Sequence, residues 1–399
     1  MQIELLAPAG NFDKLKTAFY FGADAAYVGG KDFSLRSFAD NFSREQLSAA
    51  VKYAHGLGKK IYVAVNIFAK NADFPLLEDY FAFLQNCGAD AAIVSDPGVF
   101  YAARKAAPSL QLHISTQANI TNRNAVRFWR EQGASRVILA RELGIDEIAE
   151  IHAAVPDVEI EAFVHGAMCI SYSGRCLLSD YLANRPSNRG ECVQACRWKY
   201  GIRKKDELSD SGWLDIEEDG RGTYVLNSKD LNMSEHLGKL IKAGVCSFKI
   251  EGRMKSEYYL ATVINAYRRC IDGGFDEVVG RELTTAAHRD YTTAYNLGAN
   301  AHTVNYNDSQ AKGDCDYIGN VLGYADGFAT VEMRGRFKVG DILEVLSPDK
   351  NFGKSFKVEK AYLSTGEQVN DCKLVQERYK INCPFVLHKG DLLRRRKLR

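Results

Sequence analysis

Nine short apolar runs recur through residues 1–255, each followed by a stretch with helical spacing, and this alternation constrains the fold more than any other feature. The runs cover residues 3–7, 25–29, 60–65, 91–95, 111–115, 136–140, 159–164, 223–226 and 247–250. They are rich in Val, Ile, Ala and Tyr. Turn sequences introduce them, GADAA at Gly22 and Gly88 and GAS at Gly133. The stretch 44–57 (REQLSAAVKYAHGL) shows what lies between: its Leu47, Val51 and Ala54 repeat at helical spacing. Strand, helix, strand in strict alternation implies parallel strands joined by crossover helices. About eight such units close into a TIM-like (β/α) barrel. Nine runs are one too many, so either one is a hairpin strand or the barrel is irregular. An open doubly wound sheet is the alternative.

The alternation breaks once, between Gly166 and Gly222. That stretch is too long for an ordinary loop, and residues 167–221 read as an insertion. The insertion is split by charge. Residues 167–205 carry eight Lys and Arg against two Asp and Glu, whereas 206–221 carry seven acids against Arg221 alone. A hairpin around Asp210 suits the acidic part. After about residue 300 the texture changes. Short β-like runs at 317–324, 328–333, 341–346, 356–363 and 386–387 are punctuated by Gly and Asp. They predict a small antiparallel β-barrel. The expected organisation is a TIM-like barrel over 1–300, with its insertion at 167–221, and a β-barrel domain over 301–399.

Four of the ten cysteines lie in the insertion: Cys169, Cys176, Cys192 and Cys196. Six residues separate the first pair, fifteen the next and three the last. Cys192 and Cys196 are spaced to share one face of a helical turn. Four thiolates suit zinc or an iron–sulfur cluster equally well. Structural zinc sites are usually two close pairs, and the loose first pair here favours a cluster. The other six cysteines read as small core hydrophobes.

Net charge is +2, so the chain is not globally polyanion-binding. The charge is uneven, with 17 Lys and Arg against 13 Asp and Glu over 301–399. The sequence ends Arg394-Arg395-Arg396-Lys397-Leu398-Arg399, read either as a solvated terminus or as a phosphate contact. Arg197, Lys199, Arg203, Lys204 and Lys205 interleave with Trp198 and Tyr200. That mixture suits RNA, through phosphate contact and base stacking, or a solvated basic face neutralised by the acids that follow. No run of 18 apolar residues exists, which argues against a membrane span. The opening MQIELLAPAG is too short and lacks the basic leader of a signal peptide. Ten cysteines without a secretion signal point to a reducing compartment, and a cytoplasmic protein is expected. Neither G-x-S-x-G nor H-E-x-x-H occurs.

In a parallel barrel, chemistry sits at the C-terminal ends of the strands. Read that way, the candidates for catalysis are Glu4, His165 and Glu251. Arg141, Lys229, Lys249 and Arg253 would hold a carboxylate or phosphate, because Arg offers a planar bidentate fork. Asn66 and Gln117 join them as polar contacts. The competing reading is ordinary ion pairing with Glu142, Asp230 and Glu251.

Four segments carry a resemblance: ELLAPAGNFDKLKTAFYFGADAAYVGG, EAFVHGAMCISYSGRCLLSDYLANRPSNRGECVQACRW, NSKDLNM and KIEGRMKSEYYLATV. With them the chain resembles the U32 peptidase (collagenase-like) family over nearly its whole length. Within the family it looks most like the prephenate-dependent tRNA uridine hydroxylases. The resemblance implies conversion of a wobble uridine in tRNA to 5-hydroxyuridine, with prephenate as co-substrate. Alternatives it also implies are a collagenase-like peptidase, or a hydroxylase of rRNA or ubiquinone precursors working with a second U32-family subunit. It further implies a [4Fe–4S] cluster on Cys169, Cys176, Cys192 and Cys196, with zinc as the alternative. Some relatives carry a cysteine ligand directly after SKDL, where this chain has Asn232. The Cys192–Cys196 pair must then serve, or one iron stays open. The basic part of the insertion, with Arg395 and Arg396, is expected to hold the tRNA.

Overall fold

The computed structural model describes residues 3–34, 41–189, 191–198, 228–298 and 311–397. The alternation runs β1 (Glu4–Pro8), α1 (Phe12–Tyr20), β2 (Ala25–Gly29), α2 (Arg44–Gly56), β3 (Lys60–Ala64), α3 (Phe74–Asn86), β4 (Ala91–Val94) and α4 (Pro97–Ala106). It continues with β5 (Gln111–Ile114), α5 (Arg123–Glu131), β6 (Arg136–Ile138), α6 (Ile145–Ala154) and β7 (Glu159–Ala167). Then follow α7 (Leu178–Ala183), β8 (Asp230–Asn232), α8 (Leu237–Lys242), β9 (Val245–Ile250), α9 (Glu257–Gly273) and α10 (Glu277–Leu283). Neighbouring strands from β1 to β7 pair in parallel. β9 then pairs in parallel with both β7 and β1, which closes an eight-stranded barrel and removes the open-sheet alternative.

Eight of the nine runs form the barrel, and the strand beside it, β8 (Asp230–Asn232), is none of the nine. β8 lies antiparallel on the end of β7, with Gly166 opposite Leu231, and the two-residue β10 (Tyr291–Thr292) extends it. The run 223–226 and the suspected hairpin around Asp210 lie outside the described residues. Most barrel strands are buried along nearly their whole length, as strands covered on both faces must be. Side-chain caps set where helices begin. Ser43 and Gln46 form a capping box on α2, while Asp96 and Asn122 accept from the third residues of α4 and α5.

The chain forms two compact units. One comprises residues 1–12, 25–254 and 288–311; the other comprises 13–24, 255–287 and 312–399. The second carries an eight-stranded antiparallel sheet, ordered β15, β14, β20, β11, β12, β19, β16, β17. Its strands are β11 (Cys315–Ala325), β12 (Phe328–Met333), β14 (Ile342–Leu346), β15 (Ser355–Lys357), β16 (Ala361–Leu363), β17 (Gln368–Val369), β19 (Arg378–Asn382) and β20 (Leu392–Arg396), with β13 (Phe337–Lys338) and β18 (Asp371–Cys372) as a separate pair. Irregular register along β11 helps the sheet curl around Ile318, Val331, Phe337, Val345 and Ile381. The run expected at 386–387 forms no strand, and the sheet's last strand lies instead in the basic terminus.

The barrel interior mixes an apolar cluster (Leu6, Tyr27, Tyr62, Ile93, Ile138) with a largely buried ion network whose exposed member is Glu159. Arg136 donates to Glu4 at 2.5 Å and to Glu161 at 3.1 Å, and pairs with Glu159 at 2.7 Å. Glu161 also accepts from Lys249 at 2.7 Å. Burial pushes the Glu4 carboxyl up. The Arg136 charge and hydrogen bonds from Arg136, Tyr62 and Ser247 outweigh it and hold the group below the usual carboxylate range. His113, edge-on to Tyr62, is driven far below the ordinary histidine value by burial, helped by Arg136 and Lys249, and is neutral.

Arg136→Met should destabilise the protein by roughly 3–5 kcal/mol, because it leaves Glu4 a largely buried carboxylate without its cation and takes one of two cations from Glu161. Urea unfolding reads this, and an unchanged midpoint would show that the network carries no stability. The Glu4 value is lower folded than unfolded, so its contribution is complete above the unfolded carboxylate value. It is lost as pH falls through the folded one. Wild-type stability should therefore decline on acidification below about pH 5, and Arg136→Met should flatten that decline.

Candidate functional site

Residues following β3, β5 and β6 form a polar row at the C-terminal end of the barrel. Asn66, two residues beyond β3, donates from Nδ2 to Oε1 of Gln117 at 2.7 Å. Gln117 sits in a 3-10 turn (Thr116–Ala118) capped by Ser115 and tied to the next strand's end by Thr116 Oγ1, which donates to the Leu139 carbonyl. Asn119 ends that turn in the left-handed region, at φ 54°, a conformation asparagine tolerates better than most side chains. Its Nδ2 donates to the carbonyls of Gln117 and Ser173, which fixes the amide orientation. Oδ1 of Asn66, Oδ1 of Asn119 and Nε of Arg141 are buried without a hydrogen-bond partner. Such orphans cost stability and are a recognised mark of a site that awaits a ligand or water.

Arg141 joins this row to the insertion. It donates to the Ala167 carbonyl at 2.9 Å and to Ser173 Oγ at 3.0 Å, and its guanidinium lies 5.3 Å from the Phe163 ring centre. Arg253 is buried and donates to Ser34 Oγ at 2.8 Å. A Cβ at Gly29 would collide with that guanidinium, so only glycine lets it lie there. His165 and Glu251 are brought together through the backbone. The Glu251 amide donates to the His165 carbonyl at 2.8 Å, and Gly166 (φ 109°) leaves room for the Glu251 carbonyl, which a Cβ would meet at 2.6 Å. The Glu251 carboxylate accepts from Tyr27 at 3.2 Å, and the His165 ring tilts against Tyr291 with centres 5.4 Å apart.

Other sequence-based placements need correction. Glu4 is not at this rim: it is the first residue of β1, at the opposite end, held by Arg136, Tyr62 and Ser247. Lys249 points into the barrel, pairing with Glu161 and lying 4.5 Å from the Tyr27 ring centre. Lys229 directly precedes β8 and is partly buried; its neighbour Asp230 is committed to Arg289 at 2.6 Å. Arg395 and Arg396 do not form a tail. They lie in β20, where Arg395 pairs with Asp341 and Asp316, and Arg396 with Glu344. Arg394 beside them is sealed between Glu282 and Glu344. Arg197 donates to Gln194. Lys199, Arg203, Lys204 and Lys205 lie outside the described residues.

Cys169 is two residues past β7 and exposed, whereas Cys176, Cys192 and Cys196 are partly buried. Burial raises the Cys196 thiol above its ordinary value, with the neighbouring Arg197 charge opposing the shift. Among the described residues no group of three or more His, Cys, Asp or Glu side chains has metal-site geometry. Four cysteines on one excursion are donors of the right chemistry for a thiolate-bound centre, although the thiols are not drawn in to ligand distances. The segment is anchored to the loop after β3. Arg189 donates to the Phe68 carbonyl and pairs with Asp73, and Ser187 holds the Cys176 carbonyl. Sequence reading missed Asn119, Ser173, Tyr27 and Ser34, none of which carries a charge. It also missed Arg136 and Glu161, whose signal was charge inside otherwise apolar strands.

Residues 10–305 match the Peptidase family U32 model, and residues 313–394 match the U32 C-terminal domain model. A Bacillus subtilis relative named tRNA hydroxylation protein P1 is 39% identical over 99% of this chain and 95% of its own length. The Escherichia coli tRNA hydroxylation protein P is 38% identical, covering 91% of this chain and 90% of itself. A Porphyromonas gingivalis relative named collagenase is 32% identical, with 86% of each chain covered. The chain is a member of the U32 peptidase family, over both its barrel and its C-terminal sheet.

Proposed function

We propose that this protein hydroxylates tRNA, converting a wobble uridine to 5-hydroxyuridine with prephenate as co-substrate. The observation that supports the reading is the enclosed polar rim, where the oxygens of Asn66 and Asn119 and Nε of Arg141 are buried without a partner and Arg141 ties the rim to the start of the cysteine-bearing insertion. The names of the relatives 38–39% identical to this chain support it, and the relative named collagenase is 32% identical.

In this reading Cys169, Cys176, Cys192 and Cys196 hold a [4Fe–4S] cluster, with zinc as the lesser alternative. A cluster of that kind supplies one-electron transfer when bound. The chain's own residues bind and orient. Arg253 and Lys229 meet the carboxylates of the dicarboxylate donor. Arg141 keeps the start of the insertion seated on β7 through Ala167 and Ser173. Asn66 and Asn119 offer buried acceptor oxygens to donor groups of a ligand, and Gln117 holds Asn66 in place. Glu251 and His165 stand where a proton can be taken or returned.

Anaerobically purified protein should show a broad brown absorbance that Cys196→Ala abolishes. Nucleosides from a deletion strain should lack 5-hydroxyuridine in tRNA, as read by mass spectrometry. Colourless protein with stoichiometric zinc would remove the cluster, and an unaltered nucleoside profile would remove the activity. Arg253→Gln should raise the KM for prephenate by about tenfold or more, the loss of one charge-assisted hydrogen bond. An unchanged KM would take Arg253 out of the donor site.

A further inference from the structure

Helix α7 is built inside out. Its Ser179 is 1% exposed, while Tyr181 is 87% exposed and Leu177, one turn earlier, is 64% exposed. Leu177 and Tyr181 are four residues apart, joined by the helical bond from the Tyr181 amide to the Leu177 carbonyl, so they share one face. The opposite face is pinned: Ser179 Oγ accepts from the Val193 amide and donates to the Glu191 carbonyl. The helix therefore cannot roll to bury its apolar side without breaking those bonds. The neighbouring turn Ala195–Arg197 packs on α7 and is followed by Trp198, 43% exposed. Tyr172, earlier in the same excursion, is 48% exposed. Single exposed apolar residues are ordinary, but a pinned helix that presents them as a face marks an interaction surface.

The charge around this face selects the partner. Among described residues 168–198, Arg175, Arg185, Arg189 and Arg197 stand against Asp180 and Glu191. Arg189 is committed to Asp73, and Arg175 is exposed. Exposed tyrosine and tryptophan bounded by arginine suit unpaired bases, whose rings stack on aromatic faces while phosphates meet the cations. A duplex hides its base faces and would gain little from this surface.

We propose that Tyr181, with Tyr172 and Trp198, is a stacking platform for unpaired bases of a single-stranded RNA loop. The inference rests on the tRNA reading and names the surface that grips the loop beside the reacting base. Tyr181 makes no packing contribution at its exposure, so its replacement leaves the fold intact.

The test uses the full-length, anaerobically purified protein and two RNA probes: an anticodon stem-loop carrying 2-aminopurine in its loop, and a fully paired duplex of equal length. Wild type should quench the loop fluorophore and prefer the stem-loop. Tyr181→Ala should lose roughly tenfold or more in stem-loop affinity, the worth of about one stacked base. Tyr181→Trp should restore both affinity and quenching. The salt dependence should stay the same in Tyr181→Ala, because no phosphate contact is removed, and should flatten in Arg175→Gln. Unchanged stem-loop affinity in Tyr181→Ala overturns the platform. So does an unchanged affinity accompanied by loss of self-association in sedimentation, which would make the face a protein interface. If wild type hydroxylates tRNA while Tyr181→Ala binds and reacts normally, only the platform falls. If wild type neither binds the stem-loop nor supports hydroxylation, the tRNA reading falls with it.

Discussion

Arg136 serves three carboxylates at once, and the closure of the barrel is built around it. Glu4 lies on β1, Arg136 on β6, Glu159 and Glu161 on β7, and Lys249 on β9. These strands include all three that meet at the seam, where β9 inserts between β7 and β1. The seam needs instruction, because the β7–β9 register shifts twice, near Ile160 and near Phe163. A slip of one residue would turn Glu161 or Lys249 away from the interior and leave its partner buried and unpaired. Buried ion pairs add little net stability over apolar packing, yet breaking one costs several kcal/mol. The network's main effect is thus to penalise every pairing but one.

The two ends of the barrel use polar groups in opposite ways. Toward the N-terminal end, Glu4 takes bonds from Arg136, Tyr62 and Ser247. Toward the C-terminal end, the oxygens of Asn66 and Asn119 and Nε of Arg141 are enclosed without a partner. The first arrangement repays its desolvation within the fold. The second leaves a cost that a bound molecule or water can offset. This asymmetry matches the general division of β/α barrels, with stability at one end and chemistry at the other.

The alternation of apolar runs made the barrel legible, since short continuous apolar runs separated by stretches of helical period admit few other folds. The rim proved harder to read. A residue's place within a strand decides which end of the barrel it occupies, and a run such as 3–7 does not say where pairing begins. Glu4 was therefore assigned to the wrong end. Lys249 was read as a rim cation because nothing in FKIEG reveals that Glu161, 88 residues earlier, faces it. The Arg394–Arg396 cluster looked like a charged tail. Its partners Glu282, Glu344, Asp341 and Asp316 lie 50 or more residues away, and only the antiparallel pairing of β20 with β11 and β14 brings the nearer ones close. Cysteine spacing is local and so legible in the sequence, whereas no group of three or more metal-ligating side chains stands together among the described residues.

The position of the cysteine excursion follows from the length of β7. That strand has nine residues, where β6 has three, so it rises beyond the barrel. Its overhang pairs with β8 through His165, Gly166 and Ala167, and Gly166 lets the Glu251 backbone close against it. The overhang thus gives the excursion a hydrogen-bonded post, to which Arg141 ties Ala167 and Ser173 from the next strand's end. Cys169 lies between the two tied residues, and Cys176 follows three residues after Ser173. A thiol set on an unsupported loop would pay the full loop entropy to gather. Starting it from a strand overhang lowers that cost and begins the excursion beside the polar row.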